Sequence, residues 1–185
     1  MSDGLFGAIL SVDLSQGRIE RETLPTVLCR DFLGGYGIGV RMLYNRIPAG
    51  ADPFGADNVL GFLPGLLTGT GVPFSGRFMI VGKSPLTGGW GEANCGGHFG
   101  PVLRATGLDG VLVKGIASNP VYLLIDGERA ELRDASHLWG LDTVETAQWL
   151  QESMGEDLRV VSIGPAGENK VLFSAIMADG SRAAA

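Results

Sequence analysis

The sequence predicts an α+β fold, and three observations carry the prediction. Strand-like runs outnumber helix-like ones, and several strands follow one another with no helix between them, which a doubly wound sheet does not allow. Apolar residues make up 45% of the 185 residues, enough for the core of one domain or of one lobe of a larger protein.

Residues 5–24 read as a hairpin: Phe6 to Leu14 is strand-like, Ser15-Gln16-Gly17 turns, and Arg18 to Leu24 alternates polar with apolar. Pro25 opens a short helix with Leu28, Phe32 and Leu33 on one face, stopped by Gly34-Gly35, where glycine takes a left-handed cap. A second helix, Ile38 to Ile47, is expected to turn Val40, Leu43 and Tyr44 to the core, and Pro48 ends it. Val59 to Leu63 and Arg77 to Val81 are buried strands, followed by the loops Pro64–Gly76 and Gly82–Gly97. A helix from His98 to Thr106 tolerates Pro101 because the first-turn N–H groups have no intrahelical partner. Strands recur at Gly110–Lys114, Val121–Ile125 and Arg129–Arg133. Asp142-Thr143-Val144-Glu145 has the form of a capping box, and a helix runs from it to Gly155. Strands at Arg159–Ile163 and Val171–Met177 complete the series.

Thirty glycines are about twice the usual share of roughly 7%. They cluster at Gly34–Gly39, Gly69–Gly71, Gly88–Gly91 and Gly96-Gly97, as expected where turns are tight or backbone approaches a ligand. Leu67-Thr68-Gly69 and Leu86-Thr87-Gly88 repeat a pattern 19 residues apart, either by chance or as two loops facing two halves of one ligand. The net charge of −6, without a Lys/Arg stripe, argues against a nucleic-acid partner. A bound phosphate would therefore depend on backbone N–H groups or a metal ion. Cys29 and Cys95 cannot hold an iron–sulfur cluster by themselves. No signal peptide and no apolar span of bilayer length is visible, so a cytoplasmic location is expected and no membrane.

Gly82-Lys83-Ser84 fails as a phosphate-binding loop, because the first glycine of that motif would fall at Arg77. Gly37-x-Gly39 lacks the third glycine of a dinucleotide fingerprint, since position 42 is Met. Cys95 and His98 admit a cysteine-nucleophile reading, but a glycine loop feeding a helix N-terminus with unpaired N–H groups describes Asn94 to His98 better. Asp134 to Gly140 reads as a structural turn with Trp139 in the core. Arg77 stands where loop meets strand, suited either to a phosphate or polar ring edge or to a surface ion pair.

Taken together, Gly34-Gly35-Tyr36-Gly37, Leu67 to Thr70, Ser75-Gly76-Arg77-Phe78, Lys83 to Gly88, Asn94 to Gly100, Arg133 to Gly140, Ile163 to Asn169 and Arg182-Ala183-Ala184 resemble, in order, the N-terminal domain of the aldehyde:ferredoxin oxidoreductase family. The resemblance implies two mostly antiparallel sheets flanked by helices, forming a base under a tungsten or molybdenum ion held by two pterins. It implies that residues 1–185 are this pterin-cofactor-binding domain, with a four-iron four-sulfur cluster held by later domains that are absent here. Carried over by motif, Arg77 touches the pterin, and Asn94, Cys95, Gly96, Gly97, Arg182, Ala183 and Ala184 belong to the cofactor site. The resemblance also implies that the backbone carbonyls of Asn94 and Ala184 hold a magnesium ion between the pterin phosphates, while no catalytic side chain is assigned. Partners implied are ferredoxin and the remaining domains of the same enzyme, with room for a homodimer.

Cys95 stands where the family usually has Ser, and Ala185 where it continues Gly-Arg-Gly-Gly. The implied activity is oxidation of an aldehyde or other oxo compound to an acid with ferredoxin as acceptor, this chain alone being inactive. The alternative is a stand-alone pterin-binding or assembly subunit.

Overall fold

A computed structural model describes residues 7–184; Phe6, where the first strand was expected to begin, and Ala185 lie outside them. The chain forms β1 (Ala8–Asp13), β2 (Arg18–Thr23), α1 (Thr26–Phe32), α2 (Tyr36–Arg46), β3 (Val59–Pro64), β4 (Phe78–Lys83), β5 (Trp90–Cys95), α3 (Phe99–Ala105) and β6 (Gly110–Lys114). It continues with β7 (Val121–Asp126), β8 (Arg129–Asp134), α4 (Thr143–Met154), β9 (Val161–Ser162), α5 (Pro165–Glu168), β10 (Ile176–Ala178) and β11 (Arg182–Ala184). The α+β class holds. A six-stranded sheet in the order β2-β1-β6-β3-β4-β5 is antiparallel except at β1–β6. The hairpin β7–β8 and the sheet β11-β10-β9 are wholly antiparallel.

Period-two alternation explains why the large sheet sits in the middle. Ile9, Leu63, Val81 and Leu112 point to one face, where Ile38, Met42 and Leu43 of α2 meet them. Their sequence neighbours Leu10, Val12 and Val111 point to the other face, under Leu103 of α3 and beside Leu123, Ile125 and Leu132 of the β7–β8 hairpin. Further along that face, Phe78, Ile80 and Cys95 pack with Ala178 and Ala184 of the small sheet. A fourth cluster joins Leu138, Ala147, Leu150 and Val160 around α4.

Several expectations are corrected. The inward face of α2 is Ile38-Gly39-Met42-Leu43, while Val40 is 44% and Tyr44 80% exposed. The reason is Gly39: a Cβ there would stand 2.8 Å from Leu63, so the helix approaches the sheet on its glycine side. No residue of α1 is buried, and Leu33, not a glycine, takes the left-handed cap at φ 62°. Six residues of the expected loop Gly82–Gly97 form the edge strand β5. The final strands shrink to β9 and β10, with α5 turning between them. Trp139 is 55% exposed rather than in the core, but the capping box on α4 forms in full, Asp142 accepting from Val144 and Glu145 and Glu145 from Asp142 N–H.

Candidate functional site

Antiparallel pairing of β4 with β5 sets Phe78 opposite Cys95 and Met79 opposite Asn94, so Arg77, one residue before β4, lies beside the end of β5. Arg77 donates from Nε to the Asn94 side-chain oxygen and from Nη2 to the Asn94 carbonyl, the latter at 2.9 Å. Among the described residues, three of its five N–H groups are left for another acceptor. The backbone of Arg77 is fixed from behind. Buried Thr68 donates its hydroxyl to the Arg77 carbonyl at 2.7 Å and accepts from Gly65 N–H at 3.0 Å.

Glycines let the surrounding turns close. A Cβ at Gly96 would look straight at Arg77 Nη1, 3.7 Å away, and a Cβ at Gly76 would stand 3.3 Å from the Gly97 carbonyl. Gly97 has φ 105° and would drive a Cβ to 2.6 Å from Asp179 Oδ2. That carboxylate accepts from His98 N–H at 2.7 Å and Phe99 N–H at 3.3 Å. The expected anion cradle is therefore corrected at one point: the N-terminus of α3 already has an anion, supplied by the turn between β10 and β11.

Cys95 is buried, its thiol 3.4 Å from the carbonyl oxygens of both Gly96 and Arg182. Burial first, and Asp179 second, push this thiol up, against the pull of Arg77 and Arg182. A neutral thiol bonded away from His98 has none of the properties of an activated nucleophile, which removes the cysteine-hydrolase reading. Ala184 lies in the same apolar cluster as Cys95, and β11 runs beside β5. Arg182 and Ala183 are exposed on β11. The residues Arg77, Asn94, Cys95, Gly96, Gly97, Arg182, Ala183 and Ala184 are thus gathered at one end of two adjoining sheets.

The two Leu-Thr-Gly loops part company. One precedes β4 and the other follows it, closed by Ser84 N–H to the Gly89 carbonyl at 2.9 Å. A strand of six residues separates their ends by roughly 17–20 Å, so only the first loop belongs to this site. Gly34-Gly35 does belong: Gly35 N–H donates to the Pro64 carbonyl at 3.2 Å, at the Arg77 end of the sheet. Sequence reasoning missed Thr68 and Asp179. The Asp179-Gly180 dipeptide was the available signal, since both residues take the positive φ (51° and 67°) of an Asp-Gly hairpin turn.

Elsewhere, a charged groove over β1 and β2 is filled by its own ion pairs, Arg46 with Glu22, Lys114 with Asp13 and Arg18 with Glu20. Among the described residues no group of three or more His, Cys, Asp or Glu side chains is arranged to hold a metal ion, and no helix is long and apolar enough to cross a membrane.

The family model of the aldehyde ferredoxin oxidoreductase N-terminal domain matches residues 9–185. The chain belongs to the aldehyde ferredoxin oxidoreductase family. It is 46% identical over 182 residues to the tungsten-containing aldehyde ferredoxin oxidoreductase of Pyrococcus horikoshii, covering 98% of this chain and 30% of that protein. To the aliphatic sulfonate oxidoreductase, WOR-like subunit, of Pyrococcus furiosus it is 34% identical, over 92% of this chain and 30% of that protein. Among solved structures, the active-site complex BamBC of benzoyl coenzyme A reductase, in complex with 1,5 dienoyl-CoA, matches with a TM-score of 0.96 at 34% identity. That match covers all of this chain and 28% of the other. The chain therefore spans under a third of the length of these aldehyde ferredoxin oxidoreductase relatives.

Proposed function

We propose that this chain is the cofactor-binding N-terminal domain of a tungsten-dependent oxidoreductase that converts an aldehyde to an acid. In the overall reaction an aldehyde and water give the acid, two protons and two electrons, and the electrons pass to ferredoxin. Aldehydes are the favoured substrate class because the tungsten-containing aldehyde ferredoxin oxidoreductases are 43–46% identical, against 34% for the sulfonate enzyme.

The observation that carries the reading is the Arg77–Asn94 fork over Gly96. The donor set fits a doubly phosphorylated two-pterin group. Arg77 offers an oriented, exposed guanidinium, Gly96 leaves the ground beneath it free of side chain, and Arg182 adds a second cation close by. The Asn94 carbonyl keeps one lone pair beyond its bond to Arg77, and it and the Ala184 carbonyl are hard oxygens suited to magnesium. When bound, the tungsten–pterin group supplies the two-electron oxidation, with the cluster of later domains as the route out. This chain's own work is to bind and orient: Asn94 holds the Arg77 plane, Thr68 fixes its backbone, and the glycine turns let phosphates reach main-chain N–H groups.

The exposed apolar residues Leu33, Leu67, Val72 and Phe74 lie on the segments flanking this site, as suits a face covered by the rest of an enzyme. They equally suit the stand-alone assembly subunit, whose partner would cover them.

The test is a chimaera in which this chain replaces the matched stretch of the Pyrococcus horikoshii relative, produced with tungstate. Metal analysis should find tungsten and pterin at the level of the unaltered relative, with aldehyde-dependent reduction of ferredoxin. Arg77→Ala should lower pterin content at least several-fold. A folded chimaera without pterin would overturn the proposal.

A further inference from the structure

The element that unites the two halves of this site is neither arginine nor glycine. Asn94 and Cys95 end β5 of the large sheet and lead into the Gly96-Gly97 turn, whereas Arg182 to Ala184 belong to the small sheet. Among the described residues, no ladder hydrogen bond joins these two sheets. Asp179 crosses the gap. It sits in the β10–β11 turn, and its Oδ2 accepts from His98 and Phe99 N–H, directly after Gly97. Among the described residues, the Cys95 thiol against the Arg182 carbonyl is a second polar link.

Two features show that the position is built for this contact, beyond the positive φ (51°) that Asp179 shares with any Asp-Gly hairpin turn. Gly97 is cleared of a side chain where Oδ2 lands. The other oxygen, Oδ1, is sealed from solvent with no partner among the described residues, an expensive state for a carboxylate. A surface turn serving only to reverse the chain would need neither the cleared ground at Gly97 nor the sealed oxygen.

We propose that Asp179 is the positioning residue of the cofactor site: its carboxylate takes the anion position at the start of α3 and clamps the β10–β11 hairpin, with Arg182 to Ala184, onto the Gly96-Gly97 turn. The proposal rests on the cofactor reading above. It adds that a phosphate is received beside the α3 N-terminus, by the Gly96-Gly97 main chain and the two arginines, and not on the helix end itself.

The two cysteines make the clamp measurable in the chain as it exists. Cys95 is covered by the hairpin, while Cys29 is half-buried on α1, against the other face of the large sheet. With a disulfide reagent such as DTNB and mass-spectrometric mapping, Asp179→Ala should speed Cys95 modification at least about tenfold and leave Cys29 unchanged. Asp179→Asn, which keeps an acceptor oxygen for both N–H groups, should restore slow modification. Gly97→Ala, which places a methyl against Oδ2, should act like Asp179→Ala should the latter fail to fold. In the chimaera, Asp179→Ala should lower pterin content several-fold and Asp179→Asn should recover most of it.

An unchanged Cys95 rate, or Cys29 and Cys95 rising together, would overturn the clamp. Faster Cys95 modification with undiminished pterin would overturn its role in positioning. A chimaera without pterin in every version, alongside the expected thiol pattern, would instead remove the cofactor reading and leave the clamp standing.

Discussion

Thr68 shows how one hydroxyl decides where a functional side chain starts. It is buried, donates to the Arg77 carbonyl and accepts from Gly65 N–H, so both of its hydrogen bonds close inside the molecule. Thr68→Val keeps the shape and removes both bonds, leaving a half-buried N–H and a carbonyl short of partners; the expected loss is roughly 1–3 kcal/mol. Urea denaturation measures it, and Thr68→Ser should recover most of the loss; equal stability of all three versions would contradict the account. At this scale the sequence was informative where a motif names its own chemistry. Arg77 stood out where loop meets strand, with a surface ion pair as its other reading, and Asn94 was singled out by the family resemblance; the fold sets the two side chains against each other. Thr68 and Asp179 were not legible, because each acquires its role from a partner 9 or 81 residues away.

The elements divide in the same way between local and distant causes. The α4 helix was legible because its cap is local: Asp142 and Glu145 satisfy each other's N–H groups within four residues. Asp142→Ala should cost about 1 kcal/mol, within the roughly 0.5–2 kcal/mol of such caps, visible as a shift in thermal midpoint. The β5 strand was illegible because Trp90-Gly91-Glu92-Ala93-Asn94-Cys95 contains no β-branched residue, and pairing with β4 at the sheet edge overrides its weak propensity. The inward face of α2 was misjudged for a related reason, since Gly39 marks close approach without adding hydrophobicity. The far end of α2 is tied to β2 by Arg46 and Glu22, and Arg46 holds the Glu22 carboxyl below its ordinary value of 4.5. The unfolded chain thus binds the proton first, so this contribution is full above 4.5 and is lost as pH falls through the folded value. Glu22→Gln should therefore flatten the loss of stability between about pH 6 and about pH 3, measured as urea midpoints. An acid limb as steep as that of the native chain would show that the pair carries no linkage.

At the scale of the whole molecule, the parallel pair β1–β6 is where the ends of a long excursion are stapled together. Asp109, one residue before β6, accepts from Gly7 N–H at 2.6 Å and Ala8 N–H at 3.1 Å, and pairs with Arg104 of α3. Both side chains of the pair are buried, and a Cβ added to Gly69 of the site loop, at φ 77°, would stand 3.2 Å from Arg104 Cγ. One carboxylate thus fixes the first strand, the sixth strand, α3 and, through Arg104, the loop that carries Thr68. Removing it by Asp109→Ala should cost about 3–5 kcal/mol, as for other broken buried ion pairs. Buried ion pairs are often replaced by apolar residues without loss, because desolvation consumes their attraction. That expectation should fail here. Asp109 also satisfies two backbone N–H groups, so Arg104→Met with Asp109→Leu removes the charges but leaves one buried and one half-buried donor without their Asp109 acceptor. The double variant should remain at least about 1–3 kcal/mol less stable than the native chain, by the cost of an unmet buried donor. Recovery to native stability would mean that those amides find another acceptor, and that the strand junction is held by apolar packing of β1 and β6 instead.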